Sequence, residues 1–357
     1  MSSPDRPLDL IVVGDCNPDL IVTGDDVMPA FGQAEKLVAG MSLVIGGSAS
    51  ITAVAAARLG LRVALVAAVG DDPAGDVILS LLAGEGVDTG AVAIRPGRPT
   101  GMTAILSQGQ DRAILTATGA MTTVTAADVP DGLLARARHL HVSAYFLLAE
   151  SLGPGLAGLL AAARRRGLST SLDTNYDPAC RWGDRRLRSA LAQADVFLPN
   201  EAEARGISGE RELGRAAGAL AAAGRDVVIK LGARGALCVP AGPARSSGPA
   251  GLSGPAGLSG AAGPAGAVGP AGRSGPWLVA VPELRPVDTT GAGDCFNAGV
   301  IMGLLHGLDL PRAVALGCAV GAASTAAAGG TGARIDRQTA FRLADAASIT
   351  PTELRSC

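Results

Sequence analysis

Asp294 closes the run Gly291-Ala292-Gly293 and stands just ahead of apolar and small residues, Cys295 to Leu305, that read as a helix. The first turn of a helix carries unpaired N–H donors and a partial positive charge, so three small residues there form a hole for a phosphate or a phosphoryl group in flight. A carboxylate beside such a hole is placed to take a proton from an attacking hydroxyl. Glycine and aspartate at a helix start also serve as plain capping, and the stretch Asp288 to Gly299 leaves both readings open.

Four further groups have types and spacing that could carry chemistry. Asp15, Asn17 and Asp19 follow the first strand-like run, where parallel sheets bind ligands, and two carboxylates with an amide can hold several hydroxyls. An Asx turn before Pro18 is the plainer reading. Gly46-Gly47 allows backbone to approach a small ligand, with Ser48 as a candidate helix cap; packing explains the pair equally well. Asn200 and Glu203 fit either an ordinary helix start or a magnesium–phosphate site reached through water. Lys230 to Gly235, with glycines at 232 and 235, reads as a loop bordering a nucleotide or as a hairpin turn, and it has neither Walker nor dinucleotide spacing. His139, His141 and His306 lack the company of a metal site or triad, and no Gly-x-Ser-x-Gly elbow suggests a hydrolase.

The elements that must position these groups alternate. Strand-like runs at 8–13, 62–69, 139–142, 168–172, 195–198, 226–231, 235–239 and 277–281 interleave with helical stretches at 48–60, 73–84, 151–166, 184–193, 211–223, 294–306, 311–328 and 338–347. This rhythm predicts an α/β fold with a mostly parallel sheet covered on both faces, within one domain over 1–347 and a terminal tail at 348–357. Residues 19–42 and 91–118 break the rhythm with short strands and Gly/Pro turns, as expected of a small second sheet lying over the ligand crevice as a lid. From Gly248 a glycine falls at every third position through Gly275, the collagen period. The insert, 242–276, lies between two strands of one domain with proline only in the X position, which favours a solvated loop over a triple helix.

Composition excludes several classes. A formal charge of -2 gives no basic footprint for nucleic acid, and aromatics at 3% leave few rings for stacking. Six cysteines without metal or disulfide spacing fit a reducing cytoplasm. The uncharged stretches 37–57 and 313–332 are diluted by small residues, so packed Ala-rich helices explain them better than membrane spans, and the start has no signal-peptide pattern.

Taken in order, Gly46-Gly47 to Arg58-Leu-Gly60, Asn200-x-x-Glu203, Gly232-x-x-Gly235 and Asp288-Thr-Thr-Gly-Ala-Gly-Asp294 with Phe296 and Asn297 resemble the ribokinase-like, or PfkB, carbohydrate kinases. The resemblance implies a three-layer αβα domain with a small β lid, often a homodimer clasp, and ATP with Mg2+ as donor, with a monovalent cation such as K+ as a further possibility. It implies Asp294 as catalytic base and Gly291, Ala292 and Gly293 as anion hole. Acceptor binding then falls to Asp15, Asn17, Asp19, Gly46 and Gly47, and cofactor binding to Asn175, Asn200, Lys230, Gly232, Gly235 and Thr290, with Glu203 reaching the metal through water.

Two departures bear on the acceptor. Asp173-Thr-Asn-Tyr-Asp177 resembles an Asp-x-Asn-x-Arg stretch of fructokinase-like and 2-keto-3-deoxygluconate-kinase-like members, with Asp177 in place of the arginine, which argues against a sugar acid unless Arg98 or Arg112 substitutes. Ile51 stands where many sugar kinases carry an asparagine for acceptor hydroxyls. The implied activity is phosphorylation of a neutral sugar or sugar-like alcohol. The alternatives are a nucleoside kinase of the same fold, or a catalytically weak protein that binds a metabolite or a partner.

Overall fold

The computed structural model describes residues 7–108, 111–177, 179–241, 275–282 and 284–354. The glycine-triplet loop at 242–274 lies outside the described residues. Among the described residues fifteen strands and ten α-helices follow one another as β1 (Leu10–Val13), β2 (Asn17–Thr23), β3 (Gly40–Gly46), α1 (Ser48–Arg58), β4 (Val63–Val66), β5 (Ala68–Gly70), α2 (Pro73–Gly84), β6 (Ala93–Arg95), β7 (Met102–Gln108), β8 (Asp111–Ala117), α3 (Asp131–Arg136), β9 (His139–Val142), α4 (Gly153–Arg165), β10 (Ser169–Leu172), α5 (Arg185–Leu191), β11 (Val196–Phe197), α6 (Glu201–Ser208), α7 (Leu213–Ala221), β12 (Asp226–Lys230), β13 (Ala236–Val239), β14 (Trp277–Ala280), α8 (Ala292–Leu305), α9 (Leu310–Ser324), α10 (Arg337–Asp345) and β15 (Ser348–Pro351).

Nine strands make the central sheet in the order β15-β14-β13-β12-β11-β10-β9-β1-β4. Pairing is parallel from β4 to β12 and antiparallel from β12 to β15. Side chains alternate between the faces of a strand. Ile11 and Val13 accordingly join one apolar cluster with Leu156, Leu187, Ile207 and Leu220 of α4 to α7. Leu10 and Val12 join another with Val54, Ile78, Ala298 and Ile301 of α1, α2 and α8. Two helical layers on one sheet follow, the three-layer αβα arrangement that the alternating pattern implies. Residues 348–351, placed in the tail by their pattern, instead form β15 and pair with β14 at the sheet edge.

A second sheet has the order β3-β2-β7-β8. It takes strands from the two stretches that break the rhythm, although β2 begins earlier and β3 ends later than 19–42, and β6 pairs with β5 apart from it. The register puts Asp19, Ile21, Thr103, Ile105, Ile114, Thr116 and Arg112 on one face and Leu20, Leu43, Met41, Ala104 and Leu115 on the other.

Beneath α8 the sheet is polar. On β9 and β10, Ser169, His139, Ser171, His141 and Ser143 form a continuous hydrogen-bonded row with steps of 2.7, 2.7, 2.7 and 2.9 Å. Burial pushes the His139 imidazole down to about 3 and that of His141 down to about 4, so both rings are neutral near pH 7. A neutral imidazole has one donor and one acceptor, and a hydroxyl donates once. Ser171 touches a nitrogen of each ring and has no other acceptor for its O–H among the described residues, so its full satisfaction requires it to donate to one ring and accept from the other. The two histidines must then carry the same tautomer, with every bond in the row running the same way. Full satisfaction is what makes such a row tolerable inside a core.

Ser171→Ala strips a partner from both rings and is expected to cost about 2–5 kcal/mol, two buried unsatisfied groups. Ser169→Ala, at the half-buried end where water can replace the hydroxyl, is expected to cost less than about 1 kcal/mol. Urea unfolding of the two variants measures the difference; equal costs would contradict the linked row.

Candidate active site

The crevice lies where β1, β10 and β12 end and α1 and α8 begin. Gly291 adopts φ 70 and turns the chain into α8, which starts at Ala292, so Asp294 stands within its first turn. An added Cβ at Gly291 would meet Gly330 Cα at 2.7 Å and Ile51 Cγ2 at 3.1 Å, so only glycine fits this turn. The Ala292 N–H is directed to Thr289 O at 3.3 Å and that of Cys295 to Gly291 O at 2.9 Å. Those of Gly291, Gly293 and Asp294 have no hydrogen-bond partner among the described residues. The start of α8 therefore has Gly291, Gly293 and Asp294 as open donors, with Ala292 partly committed.

Burial raises the Asp294 carboxyl well above its ordinary range, Asp173 and Asp15 adding to the effect and Lys230 and a hydrogen bond from Ser48 opposing it. Ser48 also accepts from the Asn175 amide, so Asn175, expected beside the nucleotide, joins the group around Asp294. Ser48 is not a cap. Asp15 takes that place, accepting the N–H of Ser48 at 3.1 Å and of Ala49 at 2.9 Å, which makes it an anchor of α1. Asn17 donates to Asp19 at 2.8 Å and to Thr103 at 3.2 Å. Burial and the neighbouring Asp15 raise Asp19 to about 7. A side chain at Gly46 would fall 1.9 Å from Asp19 Oδ1, and one at Gly47, with φ 83, 3.0 Å from Asn17 Oδ1. The double glycine thus makes room for the Asn17–Asp19 pair on the crevice face of the small sheet.

On the other side, Asn200 and Glu203 form a capping box at the start of α6, each side chain accepting the other's N–H at 2.9 Å. Glu203 is also buried, and burial with the nearby Asp173 raises it to about 7. Gly232, with φ 61, and Gly235, with φ 87, shape the hairpin between β12 and β13, and a Cβ at Gly235 would clash with Val279 O at 2.0 Å. Lys230 ends β12 and pairs with the buried Asp173 at 2.6 Å. Burial works against the Asp173 carboxylate, but Lys230 and the Asn297 amide hold it below the ordinary range.

Thr290 donates to Asp288 at 2.7 Å and accepts from Arg112 at 2.8 Å. Asp288 in turn accepts from the N–H of Gly329 at 2.8 Å. Arg112 comes from β8, so the small sheet is tied directly to the turn that precedes the hole. Sequence reasoning held Arg112 only as a stand-in cation; its spacing from Asp288 gave no sign of this contact.

Two expected acceptor residues are placed otherwise. Asp177 is buried and accepts the backbone N–H of Ala179, Arg181 and Trp182 at 2.9, 2.6 and 2.9 Å, holding a loop in which Cys180 and Trp182 adopt φ 48 and 45. Its charge organises that loop and does not confront an acceptor, so it carries no argument against an acidic one. Ile51 is 3% exposed and packs under Gly291 and Gly330 within the apolar cluster of α1 and α8. It supports the turn and has no place among the hydroxyl-binding groups. Among the described residues no group of three or more His, Cys, Asp or Glu is arranged to hold a metal ion, and no helix is long and apolar enough to cross a membrane.

The model of the pfkB family carbohydrate kinases matches residues 8–247 and 262–336, a break that falls inside the glycine-triplet run. This chain belongs to that family. It is similar to a ribokinase of Haemophilus influenzae, 27% identical over 88% of this chain and 91% of that one. A 2-dehydro-3-deoxygluconokinase of Bacillus subtilis is 30% identical over 80% and 82% of the two chains. In fold it matches the structure of an Arabidopsis thaliana ribokinase complexed with ribose and ATP, with a TM-score of 0.73, 20% identity and coverage of 94% of this chain and 98% of that one. Gly291 and Asp294, which carried the family resemblance in the sequence, stand at the start of α8, and Asp15 lies close enough to act on the charges of both Asp19 and Asp294.

Ile51→Asn, which restores the residue found in many sugar kinases, is expected to destabilise the protein by about 2–4 kcal/mol through a buried unpaired amide and lost packing, without lowering the acceptor KM. Urea unfolding with acceptor kinetics checks both; an improved KM at unchanged stability would refute the placement.

Proposed function

We propose that this family member is an ATP-dependent kinase that transfers the γ-phosphate to a hydroxyl of a small sugar or sugar-like alcohol. The observation that carries the reading is the position of Asp294, in the first turn of α8 beside open N–H donors and within reach of Ser48. Its raised affinity for a proton suits a base that must accept one from an alcohol. Asp294 orients the hydroxyl and takes its proton as the oxygen attacks; the N–H groups of Gly293 and Asp294 receive the charge of the transferring group. Asn17 and Asp19 hold further hydroxyls of the acceptor. Glu203 would reach Mg2+ through water, and the buried, mutually repelling carboxylates Asp173, Glu203 and Asp294 suit the arrival of a cation. Magnesium supplies charge neutralisation between the phosphates when bound. The relatives named as ribokinase and 2-dehydro-3-deoxygluconokinase support sugars and sugar acids alike as acceptors.

The small sheet is proposed as a lid, latched through Arg112 to Thr290 and Asp288. Its outer face exposes Met41, Leu43 and Leu115, which supports pairing with a second copy of the chain.

Incubation with MgATP and ribose, fructose, 2-dehydro-3-deoxygluconate or adenosine, with the phosphorylated product identified by mass spectrometry, tests the activity; no product from any of them would overturn it. Asp294→Asn is expected to lower kcat by about 100-fold or more while MgATP affinity stays within a few-fold. Because the unprotonated carboxylate is the active form and its pKa is raised, kcat should fall on the acid side at a pH above the ordinary carboxylate range, a limb absent from the residual rate of Asp294→Asn. Arg112→Ala is expected to raise ADP formation without acceptor relative to transfer, as a loosened lid admits water. An unchanged ratio of the two rates would remove the latch.

A further inference from the structure

One cation in this site faces the positive end of a helix. Lys230 reaches the first turn of α8, and a Cβ added to Gly293 would lie 3.5 Å from its Nζ and 3.7 Å from its Cδ. The ammonium thus lies within van der Waals reach of the α8 backbone at Gly293. The start of a 14-residue helix is its positive end and repels a cation. Compensation comes from Asp173 at 2.6 Å and, at longer range, from Glu203 and Asp294. Asp173 is itself shared, accepting from the Asn297 amide and from the Asn175 N–H at 3.1 Å. Of the three N–H donors of the ammonium, one is used on Asp173, its hydrogen-bond partner among the described residues. Two remain beside the open N–H groups of Gly293 and Asp294. Helix start and ammonium together offer positive potential twice over, and Asp173 offsets only part of it.

We propose that Lys230 is a catalytic residue of phosphoryl transfer, parked on Asp173 between turnovers and donating to an equatorial oxygen of the phosphoryl group as charge gathers there. This rests on the kinase reading given above. In the step, the acceptor oxygen bonds to the γ-phosphorus, the bond from that phosphorus to the β,γ-bridging oxygen breaks with its electrons leaving on ADP, and the hydroxyl proton passes to Asp294. Lys230 stays protonated throughout. Burial opposes its charge, but Asp173, Glu203 and Asp294 outweigh burial and keep the ammonium charged. A residue that acts this way binds the transition state better than the ground state.

The test compares wild type, Asp173→Asn, and the double variant Lys230→Met with Asp173→Asn, which removes both charges and so leaves no unpaired ion in the core. Calorimetry gives the affinity for MgADP alone and for MgADP with aluminium fluoride, a mimic of the group in flight, with the phosphorylated acceptor's parent alcohol present. Wild type and Asp173→Asn should both gain affinity from the fluoride. In the double variant MgADP should bind within about 3-fold of wild type while the fluoride-dependent gain shrinks by roughly 100-fold, the scale of losing one transition-state donor. Equal losses for MgADP and its fluoride complex would make Lys230 a ground-state nucleotide ligand and overturn the proposal alone. Absence of any fluoride-dependent gain in wild type would overturn it together with the kinase reading.

Discussion

The ion pair between Lys230 and Asp173 is the interaction on which the rest of the site depends. Asp15, Asp19, Asp173 and Glu203 are buried around one crevice, with Asp294 on its wall. Carboxylates gathered in a medium of low polarity repel one another and hold protons, as the raised Asp19, Glu203 and Asp294 show. Lys230 opposes that drift for Asp173, Glu203 and Asp294. Asp173 is held low, which fixes the ammonium, while Asp294 is left high, which suits it as a base. One cation thus leaves the two carboxylates with opposite shifts, Asp173 low and Asp294 high.

Such a centre needs rigid support, and the fold supplies it from the layer of α1 and α8 and from the sheet beneath them. Asp15 anchors α1, which carries Ser48 to Asp294, and Arg58 at the far end of α1 binds Thr331 O and Ala333 O at 2.6 and 3.0 Å. The loop so held contains Gly329 and Gly330, which meet Asp288 and Ile51. Under α8, the row from Ser169 to Ser143 fills the sheet face with paired polar groups where apolar side chains would be the simpler choice. His141 on that row feels the charges of Asp173 and Lys230. The polar row therefore extends the site's electrostatics into the core, and its linked tautomers make it a stiff floor.

Much of this was legible in the sequence because periodicity and glycine placement are local. The strands at 8–13, 139–142 and 226–231, the long helices, and the Gly-Ala-Gly turn before Asp294 all follow from patterns of a few residues. What stayed hidden depends on contacts distant in sequence or on the alternative uses of a carboxylate. Asp15 and Asp177 have the composition of ligand-binding residues, yet each spends its oxygens on backbone N–H groups. Ile51 occupies a substrate position by count, but the turn at Gly291 needs an apolar prop, which no spacing announces. The helix α6 and the edge strand β15 are short, and a pattern of 4 to 8 residues is weak without its neighbours.

The same reasoning explains why the acceptor is harder to read than the chemistry. The proposed phosphoryl transfer would constrain the first turn of α8, Asp294 and Lys230 within a few ångströms, and glycine is mandatory where backbone must come close. Acceptor recognition is spread over the small sheet, whose crevice face offers Asn17, Asp19, Thr103, Thr116 and Arg112 around Ile21, Ile105 and Ile114. Hydroxyl-binding groups, apolar rows and one guanidinium coexist there. Of these, Arg112 is already engaged with Thr290 and Asp288, so an acidic acceptor can win it only by competing with the turn that builds the anion hole. Under the proposed function, an anionic acceptor there would compete with the contacts of Arg112 to Thr290 and Asp288, whereas a neutral one would leave them in place.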